Sequence, residues 1–150
     1  MADAEFLADP AALLAELGPL IEAAEIHAHG DDTWLVYLDE DFALLVERDD
    51  ERQVLVLTTE LGLAQPGHEL QVYRQLLQVA CRWREVGGTR MGLEPEDDTI
   101  VQLTQAPLAG LGLQGLRGLV ERFVSQARHG RAVLAAVQGD GPPAGDFVRV

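Results

Sequence analysis

A glycine-rich run is the first feature of this sequence that could do chemistry. Gly110, Gly112 and Gly115 have the G-x-G-x-x-G spacing that cradles a dinucleotide pyrophosphate, and the run lies between a predicted strand and a predicted helix. A dinucleotide site also needs a following parallel strand and an acidic residue about 20 positions later, where this chain has Ala135. The run therefore predicts a loose helix start or close helix packing, and we expect no cofactor.

Two histidines and two acidic runs could in principle hold a metal ion. His27 and His29 with Asp31 could bind zinc, but zinc takes three or four ligands and no other His or Cys has matching spacing. The acidic runs at 39–41 and 94–98 lack the alternating oxygen ligands, the glycine and the closing glutamate of a calcium loop. We interpret the histidines as surface loop residues and the acidic runs as solvated turns, so no metal site is predicted.

Candidate nucleophiles are scarce. The chain has no Lys, its only Ser is Ser125 and its only Cys is Cys81, which excludes a Walker A loop, a Schiff-base lysine and a serine nucleophile elbow. Cys81 has no His at a spacing that would activate its thiol. Trp83 lies between two arginines, but a formal net charge of −14 makes nucleic acids and anionic membranes poor partners. The sequence predicts a protein without catalysis.

The elements that must position these residues follow an α+β pattern. Asp9 and Pro10 predict the start of a helix, and Gly18–Pro19 predicts a kink or break in it. We expect strands at residues 33–38, 42–47 and 53–59, a helix at 69–86, strands at 90–93 and 99–104, and a helix at 113–128 that extends past Gly130. The predicted order is α-β-β-β-α-β-β-α, a twisted antiparallel sheet with helices, in a single domain over residues 1–138 with a flexible tail at 139–150.

Length and composition agree with a globular protein of one domain. The 150 residues are 47% hydrophobic, which is enough for a core without disulfides. The acidic start has no basic segment followed by an apolar run, and no apolar run reaches the roughly 18 residues of a spanning helix. These features predict a cytoplasmic protein.

The first three predicted strands carry apolar residues on both faces. Trp34, Val36 and Leu38, for example, alternate with Leu35 and Tyr37. An antiparallel meander normally packs one face on the core and leaves the other solvated. The second apolar face indicates either an interaction surface or cover by the second helix within one monomer, and the residues alone leave both open.

These residues together resemble the class I type III secretion chaperone family, also called the Tir-chaperone-like family. The resemblance rests on LLAEL at 13–17, LDED at 38–41, LVL at 55–57, YRQLL at 73–77, GL at 92–93, VQL at 101–103 and LVERFV at 119–124. It extends over about residues 5–130 as a pattern of element order, hydrophobic spacing, size and acidity.

The resemblance implies a cytoplasmic bacterial homodimer that binds the N-terminal region of a secreted effector and keeps it soluble for export. One sheet face would pack on the first and third helices, and the dimer partner and the effector would cover the other. The implied effector-binding residues are Leu13, Leu17, Trp34, Val36, Leu38, Leu44 and Val46. The implied dimer interface consists of Tyr73, Leu76, Leu77, Ala80, Trp83, Met91 and Leu93.

Two other functions remain as hypotheses. A regulatory or sensory protein-binding domain similar to the YbjN-like family would have the same α+β shape and no role in secretion. A small enzyme is disfavoured because no nucleophile and base, and no metal-ligand set, can be recognised. A neighbouring effector gene would distinguish the chaperone from the regulatory domain.

Overall fold

The fold is an antiparallel sheet flanked by helices. The computed structural model describes residues 6–23, 25–82 and 88–139. These residues form the helices α1 (Pro10–Leu20), α2 (Glu69–Ala80) and α3 (Leu113–Gln138), and the strands β1 (Glu25–Ala28), β2 (Thr33–Asp39), β3 (Phe42–Asp49), β4 (Val54–Gly62), β5 (Arg90–Leu93) and β6 (Ile100–Pro107). The strands form one six-stranded sheet in the order β1-β2-β3-β4-β6-β5. The predicted α+β class is confirmed.

The strand β1 is an element that the sequence analysis missed. It pairs antiparallel with β2, so that Ile26 lies opposite Val36 and His27 opposite Leu35. Only Ile26 of this strand is partly buried, and the other three residues are exposed. A strand of four residues with one inward apolar side chain has too little alternation to be recognised in sequence. His27 is therefore a strand residue, which corrects our interpretation of it as a loop histidine.

Helix α1 is short because of its proline. Asp9 caps its start, where the carboxylate accepts a hydrogen bond from the backbone N–H of Ala11 at 3.2 Å. The helix ends at Leu20, one residue after Pro19, and residues 21–23 are not helical, so no second short helix follows the proline there. Gly18 in this turn lies close to β1, since an added Cβ would come within 3.2 Å of Cδ1 of Ile26.

The chain divides into two compact units. The first comprises Met1–Thr59 and Thr104–Phe123, and the second comprises Glu60–Leu103 and Val124–Val150. Strands β4 and β6 and helix α3 contribute to both. The single domain over residues 1–138 stays a prediction.

Burial in the first unit alternates along each strand. The side chains at every second position are in the core: Trp34 and Val36 on β2, Phe42, Leu44 and Val46 on β3, and Leu55, Leu57 and Thr59 on β4. Other buried side chains of this unit come from the helices: Leu14 and Leu17 of α1, and Leu116, Val120 and Phe123 of α3. Full burial of each large apolar side chain contributes about 1.5–3 kcal/mol, so this parity fixes which sheet face is inside.

Close packing in the second unit depends on two glycines. Helix α3 continues through Gly130, as predicted, because this residue is buried against Leu61 and an added Cβ would lie 3.0 Å from Cδ1 of that leucine. Gly62 has φ +138, and a Cβ there would lie 2.7 Å from Cδ2 of Leu134. The apolar side chains buried in this unit include Val72 and Leu76 of α2.

Two predictions reach beyond the described residues. Helix α2 ends at Ala80, and Cys81 and Arg82 after it are not helical, so the helix predicted to run to residue 86 is too long. Residues 83–86 and nearly all of the predicted tail lie outside the described ranges. Within those ranges, no helix combines the length and the apolar character needed to cross a membrane.

Candidate functional site

The side of β2, β3 and β4 that faces away from the core forms a half-exposed apolar surface. We call it the outer face and define it by six outward side chains of the first unit: Leu35, Tyr37, Ala43, Leu45, Val54 and Val56. Each of them is half-buried or exposed. The residues next to them in sequence, whose side chains point to the core, are mostly buried. The sheet therefore has a packed side and an accessible apolar side.

The strand register brings these residues together. Leu35 lies opposite Leu45 across β2 and β3, and Tyr37 lies opposite Ala43. Leu45 in turn lies opposite Thr58 on β4. Directly opposed side chains in an antiparallel sheet have Cβ atoms about 5 Å apart, so each of these pairs is in contact range. We call the two adjacent pairs, Leu35 with Leu45 and Tyr37 with Ala43, the apolar row. Such a row suits an extended or helical peptide segment.

Five of the seven residues predicted to bind an effector lie in the core. Leu17, Trp34, Val36, Leu44 and Val46 have at most 5% of their surface exposed. A partner cannot contact these side chains while the sheet keeps its packing. The sequence pattern gave two alternating sets of residues, and the structure places this set inside.

The other two predicted effector-binding residues, Leu13 and Leu38, are half-exposed. Their contact with an effector stays a prediction. In the sequence, the accessible residues of the outer face could be recognised only as the second set of alternate positions on each strand. The signal that could have identified them is polarity, since the outward set also includes Thr33, Glu47 and Thr58.

Strand β1 forms one edge of the sheet. The backbone N–H of His29 donates to the carbonyl oxygen of Thr33 at 2.8 Å, just beyond the end of β1. Because hydrogen-bonded pairs alternate in an antiparallel ladder, the backbone groups of Ile26 and Ala28 point away from β2. No described strand follows β1 in the sheet order, so this edge can accept another strand.

Charge surrounds the outer face. Glu47 projects from it, opposite Thr33 on β2 and Val56 on β4. Arg48, the neighbouring residue, forms ion pairs with Asp32 at 2.8 Å and with Asp50 at 2.9 Å. This arginine is held by the carboxylates of two turns, so it does not balance the charge of Glu47.

Five of the predicted dimer residues, all on α2 and β5, are partly or fully accessible, and we call them the second apolar surface: Tyr73, Leu77, Ala80, Met91 and Leu93. Leu77 and Leu93 are exposed, Tyr73, Ala80 and Met91 are half-buried, and Leu76 is a core residue at 3% exposure. Trp83 lies outside the described residues. Leu70 is 72% exposed and lies two turns before Leu77 on the same side of the helix, which extends this surface.

A small cleft adjoins this second surface. Its volume is about 210 Å³, and its lining includes Ala80, Met91, Thr89 and Gln126. The hydroxyl of Thr89 donates a hydrogen bond to Oε1 of Gln126 at 2.6 Å. Ligand pockets are typically larger than about 300 Å³, so the cleft has the size for a protein side chain.

The residues that could have done chemistry are dispersed. In the described ranges, no three His, Cys, Asp or Glu side chains are grouped as metal ligands would be. Cys81 is exposed just past the end of α2, and His27 lies 2.9 Å from the carboxylate of Glu25 on β1. Gly110 has φ +72 in the turn before α3.

The sequence profile of the Tir chaperone protein (CesT) family matches residues 12–131. The chain belongs to this family. The resemblance to the class I type III secretion chaperones is thereby confirmed, and the YbjN-like alternative is not favoured. The family is one of chaperones and not of enzymes. No curated protein matches the sequence significantly.

Solved structures share the fold. A chain of the ExsC–ExsE complex superposes with a TM-score of 0.66 at 18% identity, over 82% of this chain and 91% of that one. A chain of the HopA1–SchA chaperone–effector complex gives 0.64 at 19% identity, over 81% and 92%. A chain of the heterodimeric ExoU–SpcU complex from the type III secretion system of Pseudomonas aeruginosa gives 0.63 at 22% identity, over 82% and 95%. At such identities the similarity shows the fold of this family member.

Proposed function

We propose that this protein is a bacterial cytoplasmic chaperone of type III secretion that binds the N-terminal region of a secreted effector and keeps it extended and soluble until export. It acts by binding alone, as a homodimer, and has neither nucleic acid nor membrane as its partner. The family match over residues 12–131 supports the class of function. Similar folds occur in a chaperone–effector complex, which supports the kind of partner.

The accessible apolar outer face is the single observation that carries the proposal to particular residues. An apolar sheet face that stays half-exposed on a chain of net charge −14 marks an interaction surface. An effector segment lying across Leu35, Leu45 and Val56 would shield its own apolar side chains there. The free edge of β1 offers backbone hydrogen bonds to a segment that continues beyond the face.

The second apolar surface is the proposed dimer interface. It brings the exposed Leu77 and Leu93 against their symmetry mates, and the cleft beside Ala80 and Met91 accepts a side chain of the partner copy. This arrangement uses α2 and β5 and leaves the outer face of β2–β4 to the effector. The two surfaces can therefore be tested with separate variants.

The experiment is purification of the tagged protein from the bacterium that makes it, followed by mass spectrometry of what remains bound. We expect one large protein that is retained through its N-terminal region and released to the medium by type III secretion. In the double variant Leu45→Gln, Val56→Thr, we expect recovery of this protein to fall about tenfold, because both changes remove apolar contact while keeping strand-compatible shapes.

A matched control is Leu63→Gln. This leucine is 55% exposed and lies after β4 in the second unit, outside the outer face. It should retain the effector at the wild-type level. Recovery of the effector by the double variant at the level of the control would contradict the assignment of the outer face, and recovery of transcription or signalling proteins alone would contradict the chaperone function.

A further inference from the structure

The charge of the chain is unevenly distributed between its two units. The segments Met1–Thr59 and Thr104–Phe123 carry sixteen Asp and Glu against four Arg, a formal charge of −12. The segments Glu60–Leu103 and Val124–Val150 carry nine against seven, a formal charge of −2. The outer face belongs to the acidic unit, so its surroundings attract positive charge far more than those of α2 and β5 do.

Acidic turns close both ends of the outer face. The turn between β2 and β3 contains Glu40 and Asp41, and the turn between β3 and β4 contains Asp50 and Glu51. These turns lie beyond the apolar row, so their carboxylates favour the approach of basic segments in general but are not in contact with a segment that lies on the row.

Glu47 places one carboxylate inside the apolar surface itself. It is exposed, and its cross-strand neighbours Thr33 and Val56 carry no charge. Among the described residues, Arg48 is the only Lys or Arg on strands β1 to β4, and it pairs with Asp32 and Asp50 at the turns. A partner that covered Glu47 with apolar atoms would bury an uncompensated charge, which is strongly unfavourable.

These observations define the partner chemically, and the inference rests on the function proposed above. We propose that the outer face selects client segments in which an Arg or Lys is set among alternating apolar residues, and that Glu47 is the residue that pairs with this basic side chain. The apolar row supplies most of the affinity, and the carboxylate determines which apolar segments are accepted.

The test is selection from a displayed library of random 15-residue peptides on the full-length protein, followed by sequencing of the retained peptides. The wild type should enrich apolar peptides that contain Arg or Lys. Glu47→Arg should reverse this preference and enrich Asp or Glu within the same apolar pattern. The matched control is Glu51→Arg, which changes the net charge equally but lies in the turn after β3, and it should keep the wild-type preference.

The affinity of single retained peptides gives a second readout. We expect Glu47→Gln to lower the affinity for a basic peptide roughly fivefold and to reduce the salt dependence of binding. A single ion pair at a partly solvated interface contributes about 1 kcal/mol, which corresponds to this factor. Glu51→Gln should change the affinity of the same peptide less than twofold, because solvent and salt screen an exposed charge that does not contact the peptide.

The outcomes separate this inference from the function on which it rests. If Leu45→Gln abolishes peptide binding but Glu47→Arg leaves the enriched sequences unchanged, the outer face binds clients and the role of Glu47 is overturned. If Glu51→Arg shifts the preference as much as Glu47→Arg, only the overall charge matters and the role of Glu47 is again overturned. If no peptide is retained, or if Leu45→Gln has no effect, the proposed binding face fails together with the inference.

Discussion

The two consecutive leucines of β3 allow the assignment of the sheet faces to be tested with a minimal change. Leu44 is 1% exposed and lies in the core, whereas Leu45 is half-exposed on the outer face. Both lie on the same strand and lose the same atoms on substitution by alanine. Any difference between the two variants therefore reports which side of the sheet is packed.

The expected magnitudes differ strongly. Leu44→Ala opens a cavity in a packed core, and such substitutions cost about 3 kcal/mol or more of unfolding free energy. For a chain of this length that corresponds to a fall in Tm of roughly 6–12 °C. Leu45→Ala loses only partial burial and cross-strand contact, about 1 kcal/mol, or roughly 2–4 °C.

The assay is urea unfolding of both variants at one fixed protomer concentration, because the proposed dimerisation would make the apparent stability depend on concentration. Binding of the effector segment is measured in parallel. Leu45→Ala should lose binding while remaining folded, and Leu44→Ala should lose stability. Equal destabilisation by the two substitutions would show that the outer face is packed in the protein alone, and our reasoning about the effector surface would be refuted.

Three further predictions follow from other parts of the structure. Leu77→Glu should convert the proposed dimer into monomers in size-exclusion chromatography with light scattering, while Gln78→Glu, at an exposed neighbouring position on α2, should leave it dimeric. A dimeric Leu77→Glu would exclude this surface as the interface. Gly62→Ala should lower the free energy of unfolding by about 1–3 kcal/mol, measured with urea, because it combines φ +138 with a contact of 2.7 Å, and an unchanged stability would contradict that close approach. The backbone N–H of Thr99, and then its hydroxyl, donate to the Asp97 carboxylate and hold its pKa below the ordinary value of 3.8. The contribution of these hydrogen bonds to folding stability is therefore present above pH 3.8 and is lost as the pH falls through the lowered pKa. Titration of the Asp97 carboxyl by carbon NMR should show the lowered pKa, and a pKa at or above 3.8 would contradict it.

The sequence predicted the architecture because hydrophobic periodicity extends over long elements. The three central strands alternate at every second residue, and helix α3 keeps its spacing through Gly130. Strand β1 could not be predicted, because its pairing is fixed by β2 and its own four residues carry little pattern. The end of α1 at Leu20 was also missed, since the helical spacing continues to Ala24 and we expected Gly18–Pro19 to kink the helix or divide it into two short ones.

The candidate site was predictable as a type of surface but not residue by residue. Periodicity of two divides each strand into two sets and does not state which set is buried. We assigned the effector to the set with Trp34, Leu44 and Val46, which are core residues. Comparison of the two sets would have favoured the opposite choice, because the outward set contains Thr33 and Glu47 whereas the inward set is almost purely apolar.

The outer face of β2–β4 is proposed to hold the N-terminal region of a secreted effector. The most direct measurement places a photo-reactive amino acid at position 45 in the bacterium that makes the protein and identifies the cross-linked product by mass spectrometry. We expect a product with the N-terminal region of a protein exported by type III secretion, and no such product when the same probe is placed at Glu51 in the following turn. A product formed only with a second copy of this chain, or no product at all, would contradict the account.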